Sequence, residues 1–312
     1  MNDVAKGAAC LVVSAFGFAV MAACVRGADS FGAYLPSPEK SFFRNAVAMA
    51  VAAGMFLPAL RGGRADAPAA RSVWTASAWI TLVLRAAFGT LGIFLNFYAL
   101  SHVPIANAMA LNKTAPFFTV FFSALFLGER ATWRQWACVL GAFAGAACVV
   151  KPGFAATAAL PACAGFASGL FAGAAYACVR KLGVLKVPPR AIVLFFSAFS
   201  CLASVPFLVF DWHPIAPMQL LVLVGAGAGA AVGQFGVTAA YRLAEPRRIV
   251  AWDYTNILFT ALFGLLFFGQ TPDAVSVAGM ALIVFFALRL RRAGSSIVTS
   301  AAIGSMRVRL DV

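Results

Sequence analysis

Acidic side chains are scarce in this chain: 10 Asp and Glu stand among 312 residues, against 24 Lys and Arg. Charged residues of both signs reach only 11%, where soluble domains carry about 25%. A globule of this length could not cover its wetted surface with so few, which excludes a soluble enzyme. Histidine is scarcer still, at two, and there is no CxxC pair and no His cluster, so neither zinc nor a disulfide framework is supported. A GxxxxGK[ST] loop is also missing, which excludes an ATP-driven pump with its own nucleotide site. The net charge of +14 comes without groove-reading motifs or basic-aromatic strips, so it is no sign of nucleic acid.

What the chain does have is apolar length. Hydrophobic residues make up 62% and the mean hydropathy is +0.91. A transmembrane helix needs about 20 mostly apolar residues. Such runs lie at 7–25, 41–60, 76–100, 104–127, 133–150, 160–179, 191–210, 218–241, 249–268 and 274–290, with connections too short to fold as domains. The first run follows Lys6 and ends in small residues, as a signal peptide would, but its length and the further spans favour an uncleaved helix. All seven cysteines (Cys10, Cys24, Cys138, Cys148, Cys163, Cys178, Cys201) fall inside these runs and read as small hydrophobes. His102 and His213 sit singly in short loops, and the sequence assigns them no role.

The cations set the orientation, because Lys and Arg accumulate on the cytoplasmic side. With the N-terminus inside, eighteen fall in inside segments, from Lys6 through Arg130 and Arg180 to Arg309. Only Arg26, Lys40 and Lys151 fall outside, while Arg44, Arg85 and Lys113 lie within spans. Both termini are therefore expected in the cytoplasm, with a small, polar and basic tail at 293–312.

Asn112–Val150 also aligns without gaps to Asp253–Arg291, pairing Phe118 with Phe259, Thr119 with Thr260, Phe122 with Phe263 and Gly128 with Gly269. A repeat of five spans is odd, so successive copies enter the membrane from opposite sides. Inverted repeats recur in secondary transporters, with the substrate held near the midplane. The expected units are 1–150 and 151–292.

Five plus five spans, Pro116 within the fourth, Leu125–Glu129 (LFLGE) at its end and Gln135-Trp136 opening the next resemble the EamA-type transporters of the drug/metabolite transporter superfamily. Ala240–Asp273 is similar to the second-half signature, with Gln270 where Glu is frequent; Cys138 stands where Gly is usual. The resemblance covers about residues 7 to 291. It implies an all-α integral membrane protein, ten transmembrane helices as two inverted five-helix repeats around a central cavity. It further implies transport of small metabolites across a bacterial inner membrane.

Charges within the bilayer cost about 2.5–3.5 kcal/mol each on insertion scales, so polar residues inside spans are the functional candidates. Arg85, Gly89, Gly92 and Asn96 share one helical face; the alternative for Arg85 is snorkelling to the cytoplasmic interface. Asn112, Lys113 and Pro116 sit together, and Lys113 serves substrate or gating, or else pairs with Asp253. Asp253, Asn256 and Thr260 form another face, flanked by Trp252 and Tyr254. Asp253 fits proton coupling or a substrate amine; the alternative is a pair with Arg247 or Arg248. Arg44, one turn inside the outer end, suits an anionic group, unless it snorkels beside Glu39. Gln234 is a further cavity candidate, and Phe16, Phe18, Tyr98 and Tyr176 are aromatic ones.

The function expected is secondary transport of a small polar or amphipathic metabolite by alternating access. Amino acids and derivatives come first, because Arg44 and Asp253 can meet the two charges of one zwitterion. An intramembrane enzyme on a lipid-linked substrate lacks a clustered constellation, and a channel or structural subunit is the third reading. No cofactor, metal or nucleic acid is expected. Partners are a small-molecule substrate, a possible coupling proton or cation and membrane lipid, in a monomer or homodimer.

Overall fold

A computed structural model describes residues 3–61, 74–127, 133–150, 156–243, 250–286 and 288–289, and every element among them is helical. In chain order these are α1 (Asp3–Ala28), α2 (Ser37–Arg61), α3 (Ala76–His102), α4 (Ile105–Asn112), α5 (Ala115–Leu127) and α6 (Trp133–Val150). Then come α7 (Ala156–Val184), α8 (Pro189–Phe210), α9 (Pro217–Leu243), a short 3-10 turn (Val250–Tyr254), α10 (Thr255–Phe268) and α11 (Ala274–Phe286). Gly128 and Glu129 of the LFLGE element, Arg247, Arg248 and the tail lie outside the described residues.

Five helices are long and apolar enough to cross a membrane: α1, α3, most of α7, α8 and most of α9. Leu202 and Phe210 on α8 stand exposed on the outside of the bundle, as lipid-facing residues of such a helix would. Lipid offers no hydrophobic drive for helices to associate, so close packing of small residues does that work. α1 crosses α9 where a Cβ on Gly229 would stand 2.8 Å from the Gly17 carbonyl oxygen. Ser14 adds a hydrogen bond from its hydroxyl to the Gly233 carbonyl at 2.6 Å. α3 packs along α7, α2 along α8 and α9, α3 along α8, α5 along α7, and α1 along α10.

The fourth expected span is not one helix. At Lys113–Thr114 the i+4 ladder fails: the Thr114 amide bonds the Leu111 carbonyl and the Phe117 amide the Thr114 carbonyl, each only three residues back. Pro116 has no amide proton to offer, so the turn before it loses a bond in any case. A 3-10 turn leads into α10, and α4 packs against α10. The break at Lys113–Thr114 and this turn meet inside the bundle, where Lys113 contacts Asp253 and Tyr254.

At the end of the bundle expected to face outside, polar contacts tie the connections together. Lys40 donates from Nζ to Asp29 Oδ2 and to Ser101 Oγ, both at 2.6 Å. Glu39 Oε1 accepts from the His213 backbone at 3.1 Å and contacts its Nδ1 at 3.0 Å. Gln219 donates to the carbonyls of Ala28 and Ala33, and Arg26 to those of Leu100 and Ser101. Gln270 accepts from the Ile105 amide at 3.0 Å, so the side chain found where the related signature has Glu fastens α4 at its start.

Candidate functional site: a cationic cavity between the helix interruptions

A cavity of about 110 Å³ opens where α1, α2, α3, α4, α7, α8 and α9 converge. Its polar lining comes from Arg44, Arg85, Asn96, Asn112, Lys113 and Gln234. Its apolar lining includes Phe18, Met21, Phe97, Met109 and Phe196, with Tyr176 at its edge.

The α3 face is built as its spacing requires. Gly89 leaves room for the Arg85 side chain: a Cβ there would stand 2.3 Å from Arg85 Nη1 and 2.8 Å from the Phe196 ring. Gly92 lets the helix approach α7: a Cβ there would stand 3.4 Å from the Ser168 carbonyl oxygen. Arg85 is 7% exposed and its guanidinium carbon lies 3.9 Å from the Phe196 ring centroid. It does not snorkel; it is held by a ring whose negative face attracts the cation.

Arg44 is 3% exposed, one turn below the Lys40 seam, and does not pair with Glu39, which is taken by His213. The Asn45 amide donates to the Ser41 carbonyl at 2.8 Å and to Ser200 Oγ on α8 at 2.8 Å. With its nitrogen so engaged, the amide oxygen turns to Arg44 and accepts from Nη1 at 2.5 Å. Nε of Arg44 and both Nε and Nη1 of Arg85 have no hydrogen-bond partner, and neither does the Asn96 oxygen.

At the interruption, Lys113 Nζ pairs with Asp253 Oδ2 at 2.7 Å. The Lys113 carbonyl, left out of the helix ladder, accepts from the Tyr254 hydroxyl at 3.4 Å. Asn112 donates to Ser168 at 3.0 Å. α7 presses against this turn at Gly169, where a Cβ would meet Thr114 Oγ1 at 2.3 Å and the Leu111 carbonyl at 2.8 Å.

Seven of the eleven candidates named from sequence thus share one cavity. The other four are outside its lining: Asp253 and Tyr254 contact Lys113, Asn256 is buried and donates to the Ala15 carbonyl at 2.8 Å, and Trp252 is half exposed. Among the aromatic candidates Phe18 and Tyr176 line the cavity. Phe16 packs edge-on against Phe259 and Phe263, and Tyr98 stacks on His102. Sequence reasoning missed Phe196, which nothing distinguishes among 30 phenylalanines, and the Glu39–His213 contact, whose partners are 174 residues apart.

Residues 5–151 match the EamA-like transporter family. The chain is 32% identical to the pseudopaline exporter of Pseudomonas aeruginosa, over 92% of this chain and 96% of that one. It is 29% identical to the riboflavin transporter of Vibrio cholerae, over 89% and 90% of the two chains. With the S-adenosylmethionine uptake transporter of Rickettsia bellii it shares 21% identity over 60% and 64%. A solved crystal structure has the same fold at a TM-score of 0.58 and 19% identity, covering 89% of this chain and 96% of its own.

Proposed function

The chain belongs to the EamA-like transporters of the drug/metabolite transporter superfamily, multi-pass membrane proteins, and from that premise we propose a secondary carrier working by alternating access. Its cargo in this reading is an amino acid or amino-acid derivative, crossing a bacterial inner membrane, with both termini cytoplasmic. Two inverted halves, 1–150 and 151–292, rock about the cavity.

The observation that carries this reading is the meeting of the break in the fourth span with the 3-10 turn at the head of α10, at the Lys113–Asp253 pair beside a mid-bundle cavity. Discontinuous helices expose backbone and charge where a substrate binds and where halves must move. The helix pairings support an inverted repeat. α1 with α9 mirrors α7 with α3, α1 with α10 mirrors α7 with α5, and α2 with α9 mirrors α8 with α3. Relatives named for export and for uptake both fit a carrier that rocks about one central site. Their differing cargoes, pseudopaline, riboflavin and S-adenosylmethionine, leave the choice of substrate to the cavity's own residues.

In this reading Arg44 and Arg85 take the substrate carboxylate, and the apolar lining takes its side chain. Asp253 does not stand free to receive an amine; it exchanges Lys113 for a proton or a substrate ammonium during the cycle. Counterflow in liposomes containing the purified protein tests the proposal. Uptake that saturates and accelerates with substrate on the far side is the expected result. Flux without such acceleration indicates a channel, and product formation without a second compartment indicates an enzyme.

A further inference from the structure

The carboxylates that the bundle interior holds, among the described residues, are committed away from the arginines. Asp29 pairs with Lys40, Glu39 with His213, and Asp253 with Lys113. Lys113 is thereby neutralised, and Arg44 and Arg85 face one cavity with no carboxylate beside either. Two buried guanidiniums without counter-charge are an expensive arrangement unless something that enters completes them.

Their free atoms say what shape that is. Phe196 occupies a face of Arg85, but the donors of a guanidinium point out of its edge, and Nε and Nη1 there are unpartnered. Arg44 spends Nη1 on Asn45 and keeps Nε free. Nε and Nη1 of Arg85 point out of different edges of the guanidinium, so each can donate to a separate anionic oxygen. A single carboxylate would answer one guanidinium and leave the other charge buried. The unpartnered Asn96 oxygen, on the same α3 face as Arg85, adds an acceptor for one hydroxyl or amine proton.

We propose that the ligand of this cavity is a small organic dianion, held by Arg44 and Arg85 together, with a donor group facing Asn96. This rests on reading the cavity as the transport site, and it narrows the cargo to solutes carrying two carboxylates or one phosphate monoester. The dianion is a dicarboxylate or a phosphate monoester, and the experiment separates the two.

Binding is measured on the full chain in nanodiscs with matched pairs whose second member carries one negative charge fewer: glutamate against glutamine, succinate against succinamate, and glycerol phosphate against its methyl phosphodiester. The more anionic member of at least one pair is expected to bind about 10- to 100-fold tighter than its partner, as charge-assisted hydrogen bonds require. Preference within the carboxylate pairs assigns a dicarboxylate; preference confined to glycerol phosphate assigns a phosphate monoester. Arg44→Gln and Arg85→Gln should each bring the two members of the responding pair within about threefold of one another. Gly89→Ala, which pushes the Arg85 side chain aside without removing a charge, should weaken the same preference. Equal affinities within every pair, or no binding at about 10 mM, overturn the inference.

The wild-type comparison needs no variant, so a misfolded substitution cannot decide it. If dianions bind but never support counterflow, the carrier reading fails and the binding inference stands. If a neutral or cationic metabolite is carried and dianions do not compete with it, the inference fails and the carrier reading stands.

Discussion

Lys40 and Arg44 lie one turn apart on α2, both buried, at 0% and 3% exposure, and they are treated oppositely. The Lys40 ammonium has Asp29 and Ser101 at 2.6 Å, with the Tyr34 ring 5.0 Å away. The Arg44 guanidinium, one turn deeper, has a single amide oxygen and an unsatisfied Nε. A compact ammonium ringed by its own protein's acceptors is a closed structural contact. A guanidinium with its edge left open is an unfinished one, and the difference separates a seam that holds the bundle from a cavity that waits for a ligand.

Substitutions should pull the two apart. Asp29→Ala leaves the Lys40 charge buried without its partner and is expected to destabilise the protein by about 3–5 kcal/mol, seen as a lowered unfolding midpoint in detergent. Asp253→Asn weakens the part-buried pair with Lys113; a loss of about 1–3 kcal/mol should accompany impaired uptake. Unchanged uptake would remove Asp253 from the cycle. Arg44→Gln should behave unlike Asp29→Ala: stability within about 1 kcal/mol of the parent, or above it, because an uncompensated charge is deleted rather than created. A collapse of the fold in that variant would make Arg44 a structural residue like Lys40.

The smallest effect belongs to His213, on the rim of the same seam. Its hydrogen bond to Glu39 raises its pKa above the ordinary 6.5. A folded pKa above the unfolded one contributes stability fully below about 6.5, lost as pH rises through the folded value. The unfolding midpoint should therefore fall slightly on going from acid to alkaline pH, and His213→Asn should remove that slope.

Much of the cavity was legible because helical spacing is local. Arg85, Gly89, Gly92 and Asn96 fall on one face whatever surrounds them, and in the structure all four line the cavity. The interruption of the fourth span was only half legible. Pro116 marks a missing donor, but the break falls at Lys113–Thr114, where Tyr254 and Gly169 from distant segments accommodate it. Phe196 was not legible at all, since its importance lies in one contact with Arg85 and not in its residue type.

Hydropathy is a sum over neighbouring residues, so the chain alone determined that this is a helical membrane protein. Which buried charge is paired and which is left open depends on groups far apart along the chain. Lys113 and Asp253 are 140 residues distant, and Glu39 and His213 174. Only the tertiary structure decided that, because a counter-ion acts through distance in space, and in a low-dielectric interior a few ångströms separate a satisfied cation from one that needs a ligand.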